Sequence, residues 1–255
     1  MRLIDTHCHL YMPDFRPDLD ALMQRAQLAG VEKFYLPAID SEVINDILVF
    51  ETAYPGKAFA MMGIHPCSIK EDYNEELRIT EEWLNKRPFA AIGEIGLDFY
   101  WDKTFTTQQY HAFETQMQWA LQRSMPIVIH SRNAMQQTID TLKPFAEKGL
   151  RGIFHCFSGT AADAEQITAL GFLLGIGGVI TYKNAGLGAA LENIGLEHLV
   201  LETDAPYLTP VPFRGKRNES SYLTYIAQKL AEVKKVTVEE VAEVTTANAE
   251  KIFGS

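Results

Sequence analysis

Short apolar runs alternate with amphipathic segments along the whole chain, and the alternation repeats eight times. The runs fall near residues 2–8, 31–39, 58–65, 90–98, 126–130, 152–157, 172–180 and 199–204, and they are rich in Ile, Val, Leu and Phe. Continuously apolar strands of this kind are buried on both faces, as in a parallel sheet. Helical segments lie between them. Thr106-Thr107-Gln108-Gln109 offers a capping-box start for a helix running to about Arg123, with a stripe of helical period at Phe113, Met117, Ala120 and Leu121. Pro126 breaks that pattern before the next strand. A short helix over 163–170 stops at Gly171, a residue suited to a C-cap. After the eighth run come Pro206, Pro210 and Pro212, then helices near 220–233 and 238–252, the second opened by a capping box at Thr237-Val238-Glu239-Glu240.

No linker, low-complexity stretch or internal repeat interrupts this order, so a single α/β domain over 1–255 is expected. Eight parallel strands can close as a (β/α)8 TIM-type barrel or stay open as a doubly wound sheet. The polar residues decide between them. His7 and His9 close the first run, His65 the third, His130 the fifth and Asp204 the eighth, His155 follows the core of the sixth, and Glu94 sits inside the fourth between Gly93 and Gly96. Residues spread from the first strand to the eighth can meet only if the sheet closes. Parallel α/β folds place their chemistry at the C-terminal ends of their strands. No GxGxxG occurs, and Gly175-Ile176-Gly177-Gly178 lies inside a strand pattern, so a dinucleotide site has no support.

A ring of imidazoles and carboxylates at one barrel end predicts a metal site. His7 and His9 are two apart, so in a strand they share a face, and Asp5 shares it with them. Two unpaired imidazoles in an apolar interior are costly to bury, and a bound ion removes that cost; a packed histidine pair is the alternative. A lone carboxylate at Glu94 likewise needs a partner, and a carboxylate can bridge two ions. Mixed imidazole and carboxylate ligands suit Zn, Mn, Fe, Ni or Co and tolerate Mg. The chemistry is then hydrolysis, with Asp204 as ligand or general base and Glu202 behind it on the same face. Arg132, two residues beyond His130, falls at the barrel mouth, where a guanidinium suits phosphate. His65 precedes Pro66 and reads as a loop residue for substrate contact or proton transfer rather than a ligand. His111 and His198 read as surface or structural.

Composition narrows the partners. The net charge of −10 argues against broad electrostatic capture of nucleic acid but leaves room for a local basic patch, the densest being Arg214-Gly215-Lys216-Arg217. Cys8, Cys67 and Cys156 are too few and too widely spaced for a disulfide framework, and alternation points Cys8 and Cys156 away from the neighbouring histidines, toward the helices. The longest apolar run, Leu170 to Ile180, is too short to span a bilayer, and the N-terminus has no signal-peptide core. A soluble cytoplasmic protein is expected, with no membrane partner; a monomer is consistent with the pattern.

The combination resembles the TatD-type metal-dependent deoxyribonuclease family. The motifs are Asp5-Thr6-His7-Cys8-His9-Leu10, Gly63-Ile64-His65-Pro66, Gly93-Glu94-Ile95-Gly96-Leu97-Asp98, His130-Ser131-Arg132, His155-Cys156-Phe157-Ser158-Gly159 and Glu202-Thr203-Asp204-Ala205-Pro206-Tyr207-Leu208. The resemblance implies a barrel of the amidohydrolase-like group that holds two divalent ions (Mg, Mn, Zn or similar) and hydrolyses DNA. It implies His7, His9, Glu94, His130, His155 and Asp204 as ligands, with Glu94 as the bridge and Glu94 and Asp204 as the catalytic pair. His65, Asp98, Arg132, Glu202, Arg214, Lys216 and Arg217 are candidates for substrate contact or for support of the ligands. Tyr11 stands where an acidic or amide residue usually follows the His-x-His-Leu segment. Asn133 and Gln136 replace acids, and Ser220 stands where proline is common. A small-molecule amidohydrolase or esterase on the same barrel is the alternative reading, and a non-catalytic metal-binding protein a third.

Overall fold

The computed structural model describes residues 1–254. Its main elements, in chain order, are β1 (Leu3–Asp5), α1 (Leu19–Leu28), β2 (Val31–Leu36), α2 (Ile44–Ala53), β3 (Ala58–Ala60), α3 (Tyr73–Lys86), β4 (Ile92–Asp98), α4 (Thr106–Arg123), β5 (Ile127–Arg132), α5 (Met135–Ala146), β6 (Gly152–Phe154), α6 (Ala161–Ala169), β7 (Leu173–Ile176), α7 (Leu187–Leu191), β8 (Leu199–Leu201), α8 (Leu223–Lys234) and α9 (Val238–Phe253). Every strand pairing is parallel, in the orders β1-β2-β3 and β4-β5-β6-β7-β8.

Two seams join these sheets into one circuit. At the first, Met62 bridges Ile92; the Met62 N–H donates to Ala91 at 3.1 Å and the Gly93 N–H to Met62 at 3.0 Å. At the second, the backbone and side chain of Thr6 both donate to the Leu201 carbonyl, at 3.1 and 3.0 Å, and the Asp204 N–H donates to His7 at 2.9 Å. The barrel is closed, and the (β/α)8 architecture follows.

Closure collects a separate apolar cluster along the barrel axis. It holds Ile4, Tyr35, Met61, Ala91, Val128, Ile153 and Val200, with Leu173 against it, so each strand or its flank contributes. Ala249 and Ile252 of α9 close the end away from the strand C-termini, and Phe253 stacks on Tyr35 at 3.7 Å. The larger cluster fills the space between the strands and the outer helices. One end of the barrel is thus plugged with hydrocarbon, and the other is left for the polar residues. Among the described residues, no helix is long and apolar enough to cross a membrane.

Several expected boundaries shift. The first strand stops at Asp5 and the chain bends at Thr6 and His7, so simple alternation no longer applies. Asp5 is consequently not on the histidine face. It is fully buried and accepts from the Thr203 N–H at 2.9 Å, the Thr203 hydroxyl at 2.6 Å and the Ser220 hydroxyl at 2.7 Å. The sixth and eighth strands end at Phe154 and Leu201, short of His155 and Asp204. The seventh ends at Ile176, and a tight turn over Gly178–Thr181 takes its place. No capping box forms at Thr106: α4 starts without a side-chain cap, and Gln109 turns inward to clamp the Asp98 backbone at 2.9 and 3.1 Å. The sixth helix starts at Ala161 with a reciprocal cap between Thr160 and Asp163, and Gly171 takes the left-handed conformation beyond its end.

Candidate metal centre

The strand ends deliver the polar ring by breaking their own regularity. The β4–β5 register shifts between Ile92 and Ile95, which turns Glu94 toward the axis although Ala91 occupies the axial cluster. Asn133, Cys156, Asp204 and Leu208 have positive φ values of 53, 46, 56 and 52°. Non-glycine residues rarely take this conformation, and it concentrates at sites whose surroundings enforce it. All four follow strand ends β5, β6 or β8. At Cys156 the turn also cancels alternation, so its side chain lines the site cavity instead of facing the helices.

Glu94 is the hub. Its Oε2 lies 3.2 Å from His7 Nε2 and 3.9 Å from His9 Nε2. Its Oε1 lies 3.0 Å from His130 Nδ1, 3.0 Å from His155 Nε2 and 3.4 Å from His65 Nε2. Asp204 Oδ1 stands on the first side, 3.7 Å from His7 Nε2 and 3.5 Å from His9 Nε2. The two carboxylate oxygens of Glu94 therefore face two different imidazole sets. Burial opposes its charge, yet the imidazoles, led by His155, hold Glu94 well below the usual carboxylate range. Asp204 is likewise held low, by His9 above all, against the same opposition.

Neighbouring groups set which ring nitrogen faces the hub. His155 Nδ1 meets Glu202 Oε1 at 3.2 Å, and the same oxygen accepts from the Cys156 N–H at 2.6 Å. A Cβ at Gly175 would run into that carboxylate, so glycine is needed for it to fit. His130 Nε2 meets Asp98 Oδ2 at 2.9 Å, leaving Nδ1 toward Glu94. Burial lowers the basicity of His155 and His130, but the carboxylates on both sides of each ring raise it above the ordinary value. His9 Nδ1 lies 2.9 Å from the Tyr11 hydroxyl, which itself donates to the Pro37 carbonyl at 2.8 Å. Both contacts are satisfied only if His9 donates from Nδ1, which leaves the lone pair on Nε2. His65 is the opposite case. Its Nδ1 accepts from the Cys67 N–H at 3.0 Å, so the neutral ring carries its proton on Nε2 and points it at Glu94.

His7 tests whether an ion fits. It is fully buried, and neither ring nitrogen has a hydrogen-bond partner, although Nε2 stands close to two carboxylates. Burial and the charge of His155 push its basicity down. A buried imidazole without a proton partner costs stability unless something accepts its lone pair, and Nε2 is aimed where a divalent ion would take it. Three groups bring candidate ligand atoms within 4.8 Å of one another: His7, His9 and Glu94; His7, His155 and Asp204; His65, Glu94 and His130. The cluster floors a cavity of about 870 Å³ that Asp98, Arg132, Cys67 and Cys156 also line. Burial pushes the Cys67 thiol up to about 12 and Cys156 well above its ordinary value, so neither is a thiolate near neutral pH.

The profile of the TatD related DNase family matches residues 4–254. The chain belongs to that family. The uncharacterized metal-dependent hydrolase YabD of Bacillus subtilis (strain 168) is 37% identical over 252 residues, 98% of each chain. The 3'-5' ssDNA/RNA exonuclease TatD of Pectobacterium atrosepticum is 30% identical over 259 residues, covering 98% of this chain and 99% of its own. The crystal structure of YjjV, a TatD homologue from Escherichia coli K12, superposes with a TM-score of 0.93 at 30% identity, over 100% of this chain and 98% of that one. The protein is a metal-dependent hydrolase of the TatD family.

Two of the four positions where this TatD-family chain departs from the usual pattern acquire roles. Tyr11 orients His9, and Ser220 holds Asp5. The basic loop divides. Arg217 is committed to Asp18 Oδ2 at 2.8 Å and the Asp14 carbonyl at 2.6 Å, and its guanidinium lies over Phe15; it braces the N-terminal segment. Arg214 lies over Tyr182 and Lys216 over Phe213, both exposed and neither lining the cavity. Arg132 does line it. Periodicity gave no hint of Tyr11, Tyr100, Trp101 or Tyr207, because all four lie beyond strand ends; their nearness to the metal motifs in the sequence was the available signal.

Proposed function

We propose that the chain acts as one hydrolase unit that cleaves DNA phosphodiester bonds with two divalent ions sharing Glu94. The carrying observation is the division of labour at Glu94, whose two oxygens face separate imidazole sets. His7, His9, Glu94 Oε2 and Asp204 would hold one ion, and Glu94 Oε1, His130 and His155 the other. Bound there, divalent ions lower the pKa of water and polarise a phosphoryl oxygen. Mg, Mn and Zn all suit this ligand set.

The protein groups supply the rest. Glu202, Asp98 and Tyr11 hold His155, His130 and His9 in the tautomers that turn a lone pair to the hub. Asp204, ionised at neutral pH, accepts the proton of the attacking water. His65 reaches the cavity with a proton on Nε2 and serves the substrate rather than an ion. Arg132 receives the phosphate, with Arg214 and Lys216 as outer contacts against the repulsion expected from a net charge of −10. Such charge contacts predict cleavage that weakens with salt.

Metal-loaded protein assayed on labelled oligonucleotides and on amide and lactone substrates, beside Glu94→Gln, decides the reading. Oligonucleotide cleavage that disappears in the variant is expected. Turnover of amides or lactones without DNA cleavage, or equal activity in the variant, overturns it.

A further inference from the structure

Two polar side chains stand where the pattern of α4 calls for apolar ones. Its buried face carries Ala112, Phe113, Met117 and Ala120, and with them Gln109 and Gln116, which are 2% and 1% exposed. The glutamines are seven residues apart, two turns of helix, so they lie in line on a face of a helix that packs on β4. An amide buried among hydrocarbon is costly unless its polar atoms find partners. Both glutamines find theirs in main chain that leads directly into the metal centre.

Each glutamine pairs with one residue as a neighbouring strand would. Gln109 Oε1 accepts from the Asp98 N–H at 2.9 Å, and its Nε2 donates to the Asp98 carbonyl at 3.1 Å and to the Asp102 carbonyl at 3.4 Å. Gln116 Oε1 accepts from the Ile64 N–H at 2.8 Å, and its Nε2 donates to the Ala112 carbonyl at 3.2 Å and to the Ile64 carbonyl at 3.5 Å. Asp98 is the last residue of β4, and Ile64 lies beyond the end of β3. At both places the chain is leaving the sheet.

Each clamped residue leads to a histidine on the Oε1 side of Glu94. Asp98 Oδ1 accepts from the N–H groups of Tyr100 and Trp101, which leaves Oδ2 to meet His130 Nε2 at 2.9 Å. His65 directly follows Ile64; its N–H donates to the Ile39 carbonyl at 2.8 Å, and its Nε2 lies 3.4 Å from Glu94 Oε1. The His65 and His130 rings meet edge to face at 4.3 Å. On the Oε2 side, His9 is held by Tyr11, and the His7 carbonyl by the Asp204 N–H, with no part played by α4.

We infer that α4 is the template for one half of the centre. Gln109 is a positioning residue for His130, acting through Asp98, and Gln116 is a positioning residue for His65, acting through the main chain of Ile64, roles whose effect on catalysis rests on the two-ion hydrolase reading. Neither glutamine touches an ion or a substrate. They act by fixing where two rings stand, and a displacement of about 1 Å at such a group can cost about 100-fold in rate.

Gln109→Met and Gln116→Met keep a side chain of similar length and remove both bonds; ¹⁵N spectra of the histidine rings in metal-free protein read the result. Gln109→Met should move the His130 signals and Gln116→Met those of His65, with His7 and His9 unmoved in both. Ile167→Val, which trims buried packing in α6, controls for lost stability alone and should move none of them. With metal and an oligonucleotide added, Gln109→Met should weaken one metal-binding step about tenfold, the low end for loss of an outer partner. Gln116→Met should lower kcat by up to about 100-fold, with KM and both metal steps near wild type. Gln109→Glu and Gln116→Glu, which keep the acceptor oxygen, should shift the same rings less, and they carry the test if either Met substitution prevents folding. Unmoved His130 and His65 signals, or all the clustered histidines moved alike, overturn the positioning roles. A wild type that cleaves no oligonucleotide overturns the nuclease reading instead, and the ring spectra then judge α4 alone.

Discussion

Replacing Tyr11 by Phe removes one oxygen and tests how the metal centre is supported. That hydroxyl stands between His9 Nδ1, at 2.9 Å, and the Pro37 carbonyl, at 2.8 Å, and the residue is 5% exposed. Its loss leaves a buried donor and a buried acceptor unpaired, at about 1–3 kcal/mol each, or about 2–6 kcal/mol together. For a chain of this size that is a fall of about 4–24 °C in the midpoint of metal-free thermal unfolding. The second consequence is selective. Losing the group that orients a ligating histidine weakens metal binding about 10–100-fold, or about 1.4–2.8 kcal/mol. Only the ion held by His7 and His9 should suffer, because His130 and His155 are held by Asp98 and Glu202 instead. Competition titration against a chromogenic chelator resolves the two binding steps: one should weaken and the other stay. Equal weakening of both steps, or no change in either alongside an unchanged melting midpoint, would refute the role assigned to Tyr11.

Two further outcomes follow from the same geometry. Asp204→Asn should nearly abolish turnover while leaving DNA affinity in place, since an amide cannot take the proton from water; activity within tenfold of wild type, about 1.4 kcal/mol of barrier, would remove Asp204 from that role. Away from the site, Arg25 grips Glu219 with two bonds, at 2.8 and 2.6 Å, and with Ser221 holds its carboxyl below the ordinary value although burial pushes it up. A depressed folded pKa contributes stability above the unfolded value, here 4.5, and that contribution is lost as pH falls through the folded one. Arg25→Met should therefore be less stable than wild type at pH 7 and lose less on acidification below pH 4.5; denaturant midpoints with parallel pH dependence would show the pair contributes nothing.

Much of the fold and of the site can be read from the chain because both rest on strand periodicity. Val128 and His130, or Ile153 and His155, share parity: the first residue of each pair joins the axial cluster and the second the polar ring. Reading failed where the backbone leaves regular geometry. Asp5 looked equivalent to His7 until the bend at Thr6 separated them, and Cys156 looked outward until a left-handed residue turned it in. The Thr203 and Ser220 partners of Asp5 come from the far end of the chain and reach it only through closure, and those of Tyr11 and Asp98 come from neighbouring strands, which no local spacing encodes. Arg217 was indistinguishable from its basic neighbours in the sequence; a carboxylate nearly two hundred residues away, Asp18, decides its role.

The central claim is that one carboxylate, Glu94, serves two ions. Metal-free protein titrated with Mn or Zn, with bound metal counted by elemental analysis after gel filtration, tests it directly. The wild type should saturate at two ions per chain, and Glu94→Gln, with its barrel intact by circular dichroism, should hold fewer. Saturation of the wild type at one ion, or two ions retained by the variant, would contradict the shared site.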